Sequence, residues 1–230
     1  MRLPFEQFPA LSAIKICRHV FAQRIPGIDV SHDKAEVLER LDAAHREIRH
    51  ATGFGDWPLF TAEQVHGNKI AVIERAVASA VPSGVSGREF PGCDGIITNQ
   101  RGIALGIYVA DCCAVYILDP KTPAIGLVHA GRKGTQLGVA ANAIRQMIER
   151  FGSHSANMIV QLSPCIRPPH YEVDFAAEII QQCRALGVQH IHDSGTCTAC
   201  DLGRYYSYRA EKGKTGRMLA VIGLDPTIAI

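Results

Sequence analysis

The spacing of apolar residues along the chain predicts three amphipathic helices. The first covers VSHDKAEVLERLDAAHREIRHATG, residues 30–53, where Asp33 and Glu36 have capping-box spacing and Gly53 follows the end. One face of this helix carries Val37, Leu38, Leu41, Ala44 and Ile48. A second helix is predicted in TQLGVAANAIRQMIERFG, residues 135–152, with an apolar face of Leu137, Ala140, Ile144, Met147, Ile148 and Phe151. The third is DFAAEIIQQCRALG, residues 174–187, with Asp174 as its N-cap.

Short apolar runs rich in β-branched residues predict strands between and after these helices. The runs are IAVI, DGIITN, IALGIYV, CAVYIL, AIGLVH, NMIVQL and the closing MLAVIGL. The stretch at 76–92, AVASAVPSGVSGREFPG, is rich in small residues, Pro and Gly and predicts a surface loop. No repeat, low-complexity tract or linker composition interrupts the chain. We therefore predict an α+β fold, a single domain over residues 1–230 with packed α and β layers and a mixed β-sheet core.

Charge and hydropathy exclude some classes of binding partner for this chain. Its 24 Lys and Arg residues nearly balance 22 Asp and Glu residues and are scattered along the sequence, so no footprint for nucleic acid or an anionic membrane surface is visible. No apolar stretch approaches the roughly 20 residues that span a bilayer, and the first residues do not resemble an export signal. We expect a cytoplasmic protein that does not bind nucleic acid or membranes. A small anionic ligand remains compatible with the charge.

The eight cysteines are expected to be reduced, because a chain of this length builds its own core and needs no disulfide framework. The C-x-x-C sequence of Cys197 and Cys200 has no second close pair, so it does not predict a four-thiolate zinc site. A structural role is favoured there over a redox or metal role. Packing roles are predicted for Cys17, Cys93, Cys165 and Cys183.

Three residues with ligand chemistry fall where a predicted strand ends or a loop begins. They are His66 in EQVHGNK, Cys112 in VADCCAV and His129 in LVHAGRKGT. A side chain at such a junction can point into a cleft while the sheet holds its backbone. Two imidazoles and a thiolate match a zinc site whose fourth position stays open, which is typical of catalysis. Taken singly, each residue is more often a core residue than a ligand.

The segment Asp111–Cys112–Cys113 interrupts an otherwise apolar run. Side chains alternate between the two faces of a strand, so Cys112 and Cys113 cannot both reach one cleft, and one of them is predicted to lie in the core. Asp111 can transfer protons near a metal only if the chain turns over residues 110–112. The alternative is an aspartate that caps the backbone of a turn.

Several short motifs occur in an order that resembles the bacterial laccase-domain, or polyphenol oxidase, family. They are QVHG, CDGIIT, ADC, HAG followed by G-T, YEV, CT with YYSYR, and TGRM, and they span residues 60–224. The resemblance implies a fold like that of cysteine hydrolases and a zinc ion held by His66, Cys112 and His129. Copper would suit the same ligands. A multicopper oxidase is not indicated, because the chain has one H-x-H pair, His190 and His192.

The activity that the resemblance implies is phosphorolysis of purine nucleosides, namely adenosine, inosine, guanosine and methylthioadenosine, together with deamination of adenosine. Asp111 and Cys112 are then the predicted catalytic residues. No glycine-rich phosphate loop is present, so Lys133, Arg209 and Arg24 are predicted to hold phosphate. Tyr171 is predicted to stack on the purine, with a packing role as the alternative.

The chain departs from the family pattern around the proposed substrate pocket. The family motif H-A-G-W-R-G has Arg132 and Lys133 in place of its aromatic residue and arginine, and Ala210 replaces the second arginine of S-Y-R-R. Two other functions therefore stay open. One is a thiol hydrolase or deamidase with Cys112 as nucleophile and His129 as base. The other is a metal-stabilised nucleoside-binding protein without catalysis. The oligomeric state is not predicted.

Overall fold

Two six-stranded sheets frame the part of the chain that the structure, a computed structural model, describes: residues 3–74 and 89–228. Strands are numbered in chain order. Along the first sheet they are β1 (Phe5–Glu6), β2 (Cys17–Ala22), β12 (Met218–Leu224), β7 (Ala104–Val109), β3 (Leu59–Ala62) and β5 (Glu89–Phe90). Along the second sheet they are β11 (His190–Asp193), β10 (Ile159–Leu162), β8 (Cys113–Asp119), β9 (Ala124–Ala130), β6 (Gly95–Thr98) and β4 (Ile70–Ile73).

Both sheets are mixed. Strand β3 pairs in parallel with β5 and β7, β4 with β6, and β10 with β11, whereas the remaining pairs are antiparallel. The predicted α+β class with mixed pairing is confirmed. The number of sheets differs from the prediction of one mixed core, because most strands are buried on both faces and their composition does not show which neighbours they take.

Strand β8 shows how the two sheets share their cores. All seven of its residues are buried. Alternate side chains, such as Ala114 and Tyr116, join the core shared with the first sheet, while Cys113 and Val115 join the core beneath the helices. The Tyr116 hydroxyl donates to the carbonyl of Val20 in β2 at 2.9 Å and so connects the two sheets. This alternation confirms that Cys113 is a core residue.

Within residues 3–74 and 89–228, five α-helices pack on this frame: α1 (Pro9–Ser12), α2 (Lys34–Ala51), α3 (Arg132–Gln136), α4 (Val139–Phe151) and α5 (Phe175–Ala185). The N-caps predicted for α2 and α5 are both present. Asp33 accepts from the backbone N–H groups of Ala35 and Glu36, and Asp174 accepts from that of Ala177. Gly152 ends α4 in the left-handed conformation, with φ of 67°.

The helix predicted over residues 135–152 is wrong in its first turn. The structure has two helices there, α3 and α4, separated at Gly138, whose φ of 69° is left-handed and cannot continue a helix. Leu137 is consequently 48% exposed instead of lying on the buried face. The apolar periodicity is real from Val139 onward, but it is not continuous with the residues before Gly138.

Three segments cross from the first sheet to the second, and they meet on the same side of the frame. Residues 63–69 connect β3 to β4, residues 91–94 connect β5 to β6, and residues 110–112 connect β7 to β8. Polar residues in these crossings lie beside the C-terminal end of β9. The fold therefore brings together residues that are 65 positions apart in sequence, such as His66 and Gly131, which directly follows β9.

Most of the surface loop predicted at 76–92 lies outside the described residues. At its described end, Glu89–Phe90 forms the short strand β5. Within 3–74 and 89–228, none of the helices combines the length and the apolar character needed to cross a membrane.

His19 gives the core a testable dependence on pH. The side chain is 1% exposed, the backbone N–H of Phe8 donates to its Nε2 at 2.7 Å, and burial lowers its pKa to about 4. The pKa of a histidine in the unfolded chain is about 6.5. Between pH 6.5 and 4, His19 therefore binds a proton in the unfolded chain but stays neutral in the folded chain. As the pH falls from 6.5 to 4, we expect His19 to lower the free energy of unfolding by about 3 kcal/mol. This figure follows because a pKa difference of 1 between the folded and unfolded chains corresponds to about 1.4 kcal/mol.

This expectation can be measured by urea unfolding of the wild type and His19→Gln across that pH range. The other histidines are common to both proteins, so the difference between the two curves reports His19 alone. Parallel curves would show that His19 does not couple folding to pH.

Candidate metal centre

The structure brings together the three side chains that the sequence places at strand ends. One ligand atom from each of His66, Cys112 and His129 lies within 4.8 Å of the other two. The Cys112 Sγ is 3.9 Å from His66 Nε2, and the two imidazole rings stand edge to face with centroids 4.8 Å apart. Within the described chain this is the one group of three such side chains close enough to share an ion. Its donors, two nitrogens and one sulfur, fit a tetrahedral cation.

The buried carboxylate of Asp94 positions both histidines. Oδ1 accepts from the backbone N–H of His66 at 2.8 Å and faces Nδ1 of His129 at 3.0 Å, while Oδ2 accepts from the N–H of Gly67 at 2.7 Å. A carboxylate beside Nδ1 keeps the proton on that nitrogen, so Nε2 of His129 is free to bind a cation. Burial opposes ionisation of Asp94, but His129 and these N–H groups hold its pKa below the usual value.

Gln64 anchors the same segment from the other side. Its side-chain amide donates to the carbonyl of Tyr108 at 2.6 Å and accepts from the Tyr108 N–H at 2.9 Å. Gln64 and His66 both have left-handed backbones, with φ of 67° and 60°. Such conformations are unfavourable for residues with a Cβ and persist where the surrounding contacts require them.

Gly131 leaves the space that the Cys112 thiol occupies. It follows His129 and Ala130 at the end of β9, next to the point where Cys113 pairs with Ala130. A Cβ added to Gly131 would lie 2.6 Å from Cys112 Sγ and 3.5 Å from Cδ2 of His66. The glycine of the HAG motif is therefore required by the ligand cluster and not by an unusual φ.

Cys112 and His129 each favour the charged form of the other. Burial opposes the charged form of each, yet His129 and then His66 lower the pKa of the Cys112 thiol to about 6. The Cys112 thiolate and Asp94 in turn raise the pKa of His129 to about 9, against the effect of burial. A cation bound here would take the place of the imidazolium proton and keep the thiolate.

The ligand cluster opens into a cavity of about 640 Å³. Tyrosines 108, 171 and 208 and the apolar side chains of Ile166 and Phe175 form part of its wall. Five lining side chains are cationic: Lys34, Arg132, Arg209, Lys212 and Arg217. The volume suits a ligand with one or two rings, and the aromatic and cationic walls suit a flat base joined to an anion.

Glu172 joins two of these cations at the edge of the cavity. Its carboxylate accepts from Arg132 at 3.2 Å and from Arg209 at 2.7 Å. The guanidinium of Arg209 also lies 4.9 Å from the centre of the Tyr171 ring, and Tyr171 contacts Phe175 edge to face. Tyr171 thus lines the cavity and packs against its neighbours at the same time.

Asp111 lies beside the cluster, and the chain does bend at residues 110–112. Asp111 has a φ of 83°, and its carboxylate accepts from the Thr198 hydroxyl and from the backbone N–H of Arg209, both at 2.7 Å. Both oxygens therefore have structural partners, as the turn-cap alternative expects. A role in proton transfer stays a prediction.

Two of the residues predicted to bind phosphate do not line the cavity. Lys133 is exposed at the start of α3, where its neighbour Arg132 faces the cavity instead, since successive helical residues point about 100° apart. Arg24 pairs with Glu211 at 2.7 Å and lies 4.4 Å from the centre of the Tyr206 ring. Arg209 and Tyr171 do line the cavity. The roles in substrate binding predicted for these four residues stay predictions.

The sequence analysis assigned no role to Asp94 or Glu172. Asp94 stands in the CDGIIT motif next to a predicted strand, and an acidic residue at a strand end beside two histidines is the signal that could have identified it. Glu172 has no comparable signal. Its importance depends on Arg132 and Arg209, which are 77 residues apart and meet only in the folded chain.

The protein thus combines an α+β frame of two mixed sheets with a His–Cys–His cluster at the segments that connect one sheet to the other. The chain matches the family described as multi-copper polyphenol oxidoreductase laccase in two overlapping segments, residues 18–179 and 173–225. The chain belongs to this family, which confirms the resemblance inferred from the short motifs.

Several relatives of this chain are named purine nucleoside phosphorylases. The chain is 28% identical over 239 residues to YlmD of Geobacillus stearothermophilus, covering 88% of this chain and 84% of that protein. It is 30% identical over 222 residues to ORF3 of Streptomyces griseus, covering 85% of each. The crystal structure of the Geobacillus YlmD superposes with a TM-score of 0.79 over 97% of this chain, at 24% identity, and so shows the same fold.

Replacing Asp94 by Asn should weaken metal binding while the protein stays folded. The amide keeps one acceptor oxygen but loses the charge and one acceptor, so it cannot serve His129, His66 and Gly67 together. We expect the affinity for Zn²⁺ to fall about 10- to 100-fold, as is usual when the partner of a ligating histidine is lost. Competition with a chromogenic chelator measures the change.

The control for this variant is Asp119→Asn. Asp119 is also fully buried and accepts from backbone N–H groups of Lys121, Thr122 and His154, but it lies at the other end of β8. The Asp119→Asn substitution should lower the stability of the protein without changing its affinity for Zn²⁺. Equal affinities in Asp94→Asn and the wild type would show that Asp94 does not orient the ligands.

Proposed function

We propose that this protein is a zinc-dependent purine nucleoside phosphorylase that acts on adenosine, inosine, guanosine and methylthioadenosine, with deamination of adenosine as a second activity. One observation carries the proposal: His66, Cys112 and His129 converge at a cavity that is walled by tyrosines and rimmed by arginines. The names of the relatives support the same reaction class.

The ligand cluster fits zinc better than a redox metal centre of several ions. Two imidazoles and one thiolate are three protein ligands, the number found in catalytic zinc sites. Asp94 fixes one histidine through its second nitrogen, and Gly131 leaves room for the sulfur. When bound, zinc would supply a Lewis acid that stabilises negative charge developing on the substrate.

Phosphorolysis joins a phosphate oxygen to C1′ of the ribose while the bond from C1′ to the purine nitrogen breaks. The bonding electrons leave with the base, which takes up a proton. Arg209 and Arg132 would hold the phosphate through paired N–H groups, because both guanidiniums already meet at one carboxylate. Tyr171 and Tyr208 would flank the base and keep water from the sugar.

The test is an assay of zinc-loaded protein over the four nucleosides, with and without phosphate. We expect free base and pentose 1-phosphate only when phosphate is present, and inosine with ammonia from adenosine if deamination also occurs. Cys112→Ala should lose zinc and turnover while remaining folded. Cys183→Ala, which changes a buried cysteine in α5, should keep both. Turnover by protein stripped of metal would contradict the proposed mechanism.

The thiolate–imidazolium pair favours one other function, a thiol hydrolase or deamidase. Cys112 would be the nucleophile and His129 its base, since His129 lowers the pKa of the thiol to about 6. Rapid alkylation of Cys112 in the untreated protein, with loss of amide hydrolysis, would support this function over phosphorolysis, and protection of Cys112 by zinc would count against it.

Glu172→Gln should improve the use of phosphate. The carboxylate neutralises Arg132 and Arg209, so phosphate has to compete with it for the same N–H groups. We expect the KM for phosphate to fall about two- to fivefold, equivalent to the 0.5–1 kcal/mol of an exposed ion pair, with little change in kcat.

Glu36→Gln is the matched control, because Glu36 also pairs with an arginine, Arg40, but does not line the cavity. Its KM should equal that of the wild type. An unchanged KM in Glu172→Gln would place phosphate elsewhere in the cavity.

A further inference from the structure

The C-x-x-C sequence forms a tight turn of its own close to the cavity. The 3₁₀ turn Thr198–Cys200 starts directly after Cys197, and the N–H of Cys200 donates to the carbonyl of Cys197 at 3.2 Å. Residues three apart in such a turn lie one above the other, which brings two cysteines within reach of a disulfide. Cys200 is exposed and Cys197 is half-buried, so small reagents can reach the pair.

Cys197 and Cys200 differ from the other cysteines in being neighbours that are both open to solvent. The Cys197 side chain, with a smaller effect of burial, raises the pKa of Cys200. The six other cysteines are also free thiols, but five of these are buried and the sixth is the ligand Cys112. Exposure and pairing therefore coincide at Cys197 and Cys200.

The inner side of this turn is fixed to Cys165 in the segment that follows β10. The N–H of Thr198 donates to the carbonyl of Cys165, and the N–H of Cys165 donates to that of Thr196, both at 3.2 Å. The turn cannot shift as a whole without breaking these bonds. A change in the distance between the two sulfurs must therefore be absorbed by the residues between them.

Thr198 lies between the two cysteines and forms a hydrogen bond with Asp111, the residue before the predicted metal ligand Cys112. Its hydroxyl is fully buried and donates to Asp111 Oδ1 at 2.7 Å. The other oxygen of Asp111 accepts from the N–H of Arg209 at 2.7 Å, and Asp111 directly precedes Cys112. One hydrogen bond, from Thr198 to Asp111, thus connects the C-x-x-C turn to a residue that lines the cavity.

We propose that Cys197 and Cys200 are a redox-active dithiol that low-molecular-weight disulfides oxidise, and that the disulfide displaces Thr198 and loosens its hold on Asp111. The exposed Cys200 attacks one sulfur of the small disulfide, forms a mixed disulfide and releases one small thiol. Cys197 then attacks the Cys200 sulfur and releases the second small thiol. The two protein thiols lose two protons and two electrons, and the small disulfide gains both.

The geometry gives this step a mechanical effect. A disulfide requires the two sulfurs to lie at about 2.05 Å with a torsion near 90°. Because the turn is anchored at Cys165, the movement that closes this bond falls on the backbone around Thr198. The hydroxyl of Thr198 is the nearest group that can lose its partner.

The experiment exposes zinc-loaded protein to graded ratios of oxidised and reduced glutathione and maps the products by mass. Tryptic peptide 185–204 contains Cys197 and Cys200 and no other cysteine. We expect this peptide to become lighter by two hydrogen atoms as the ratio rises, without cross-linking to another peptide. Cys200→Ser should abolish the change, and Cys17→Ser, altered in a buried cysteine of β2, should behave as the wild type.

The second readout is hydrogen exchange of the Arg209 amide, which Asp111 protects. We expect its exchange to quicken at least about fivefold on oxidation of the wild type and to stay unchanged in Cys200→Ser. In Thr198→Val, which lacks the hydroxyl, oxidation should form the disulfide but add no further change. Neither readout depends on catalysis, so each stands whatever the protein's reaction.

Three results would overturn the proposal. Glutathione adducts on the separate cysteines without an internal disulfide would show that the pair is not a dithiol. A disulfide between Cys197 and Cys165, seen as a cross-link between two tryptic peptides, would assign the redox chemistry to a different pair. An internal disulfide that leaves Arg209 exchange unchanged would show that the turn does not act on Asp111.

Discussion

The carboxylate of Asp94 is the interaction on which the candidate site depends. It is fully buried, and its oxygens are used by the backbone of His66 and Gly67 and by the ring of His129. A charge without partners would be very unfavourable at this depth, so the three hydrogen bonds and the carboxylate stabilise one another. This mutual dependence fixes one histidine in position and sets the tautomer of the other before any cation arrives.

Asp94 can have this role because of the way the chain passes between two sheets. Three successive crossings carry His66, Asp94 and Cys112, and the end of β9 adds His129. Each crossing is anchored by a strand at both ends, so its polar residues are held with little freedom. Left-handed backbones at Gln64, His66 and Asp111 accompany these tight crossings. The layered architecture thus supplies rigidity at the points where the ligands are placed.

The cavity around the cluster is both aromatic and strongly cationic, and its charges are only partly balanced. Glu172 connects Arg132 and Arg209, and Asp111 is held by Thr198 and the Arg209 backbone. The position that is aromatic in the family motif is Arg132 here, so a charged side chain has replaced part of the apolar wall. The same cavity edge therefore combines two guanidinium groups, which attract anions, with a carboxylate that partly neutralises them.

The sequence by itself determined the local elements and the chemistry of the ligands. Capping at Asp33 and Asp174, the apolar strands, and the positions of His66, Cys112 and His129 at strand ends all depend on neighbouring residues and could be inferred from them. Tertiary structure decided the rest: the division of the strands into two sheets, the break at Gly138, the buried role of Asp94, and the exposure of Lys133 beside a cavity-lining Arg132. These features arise from contacts between residues distant in sequence. Such contacts leave no periodic pattern along the chain, because each needs partners that only folding brings together.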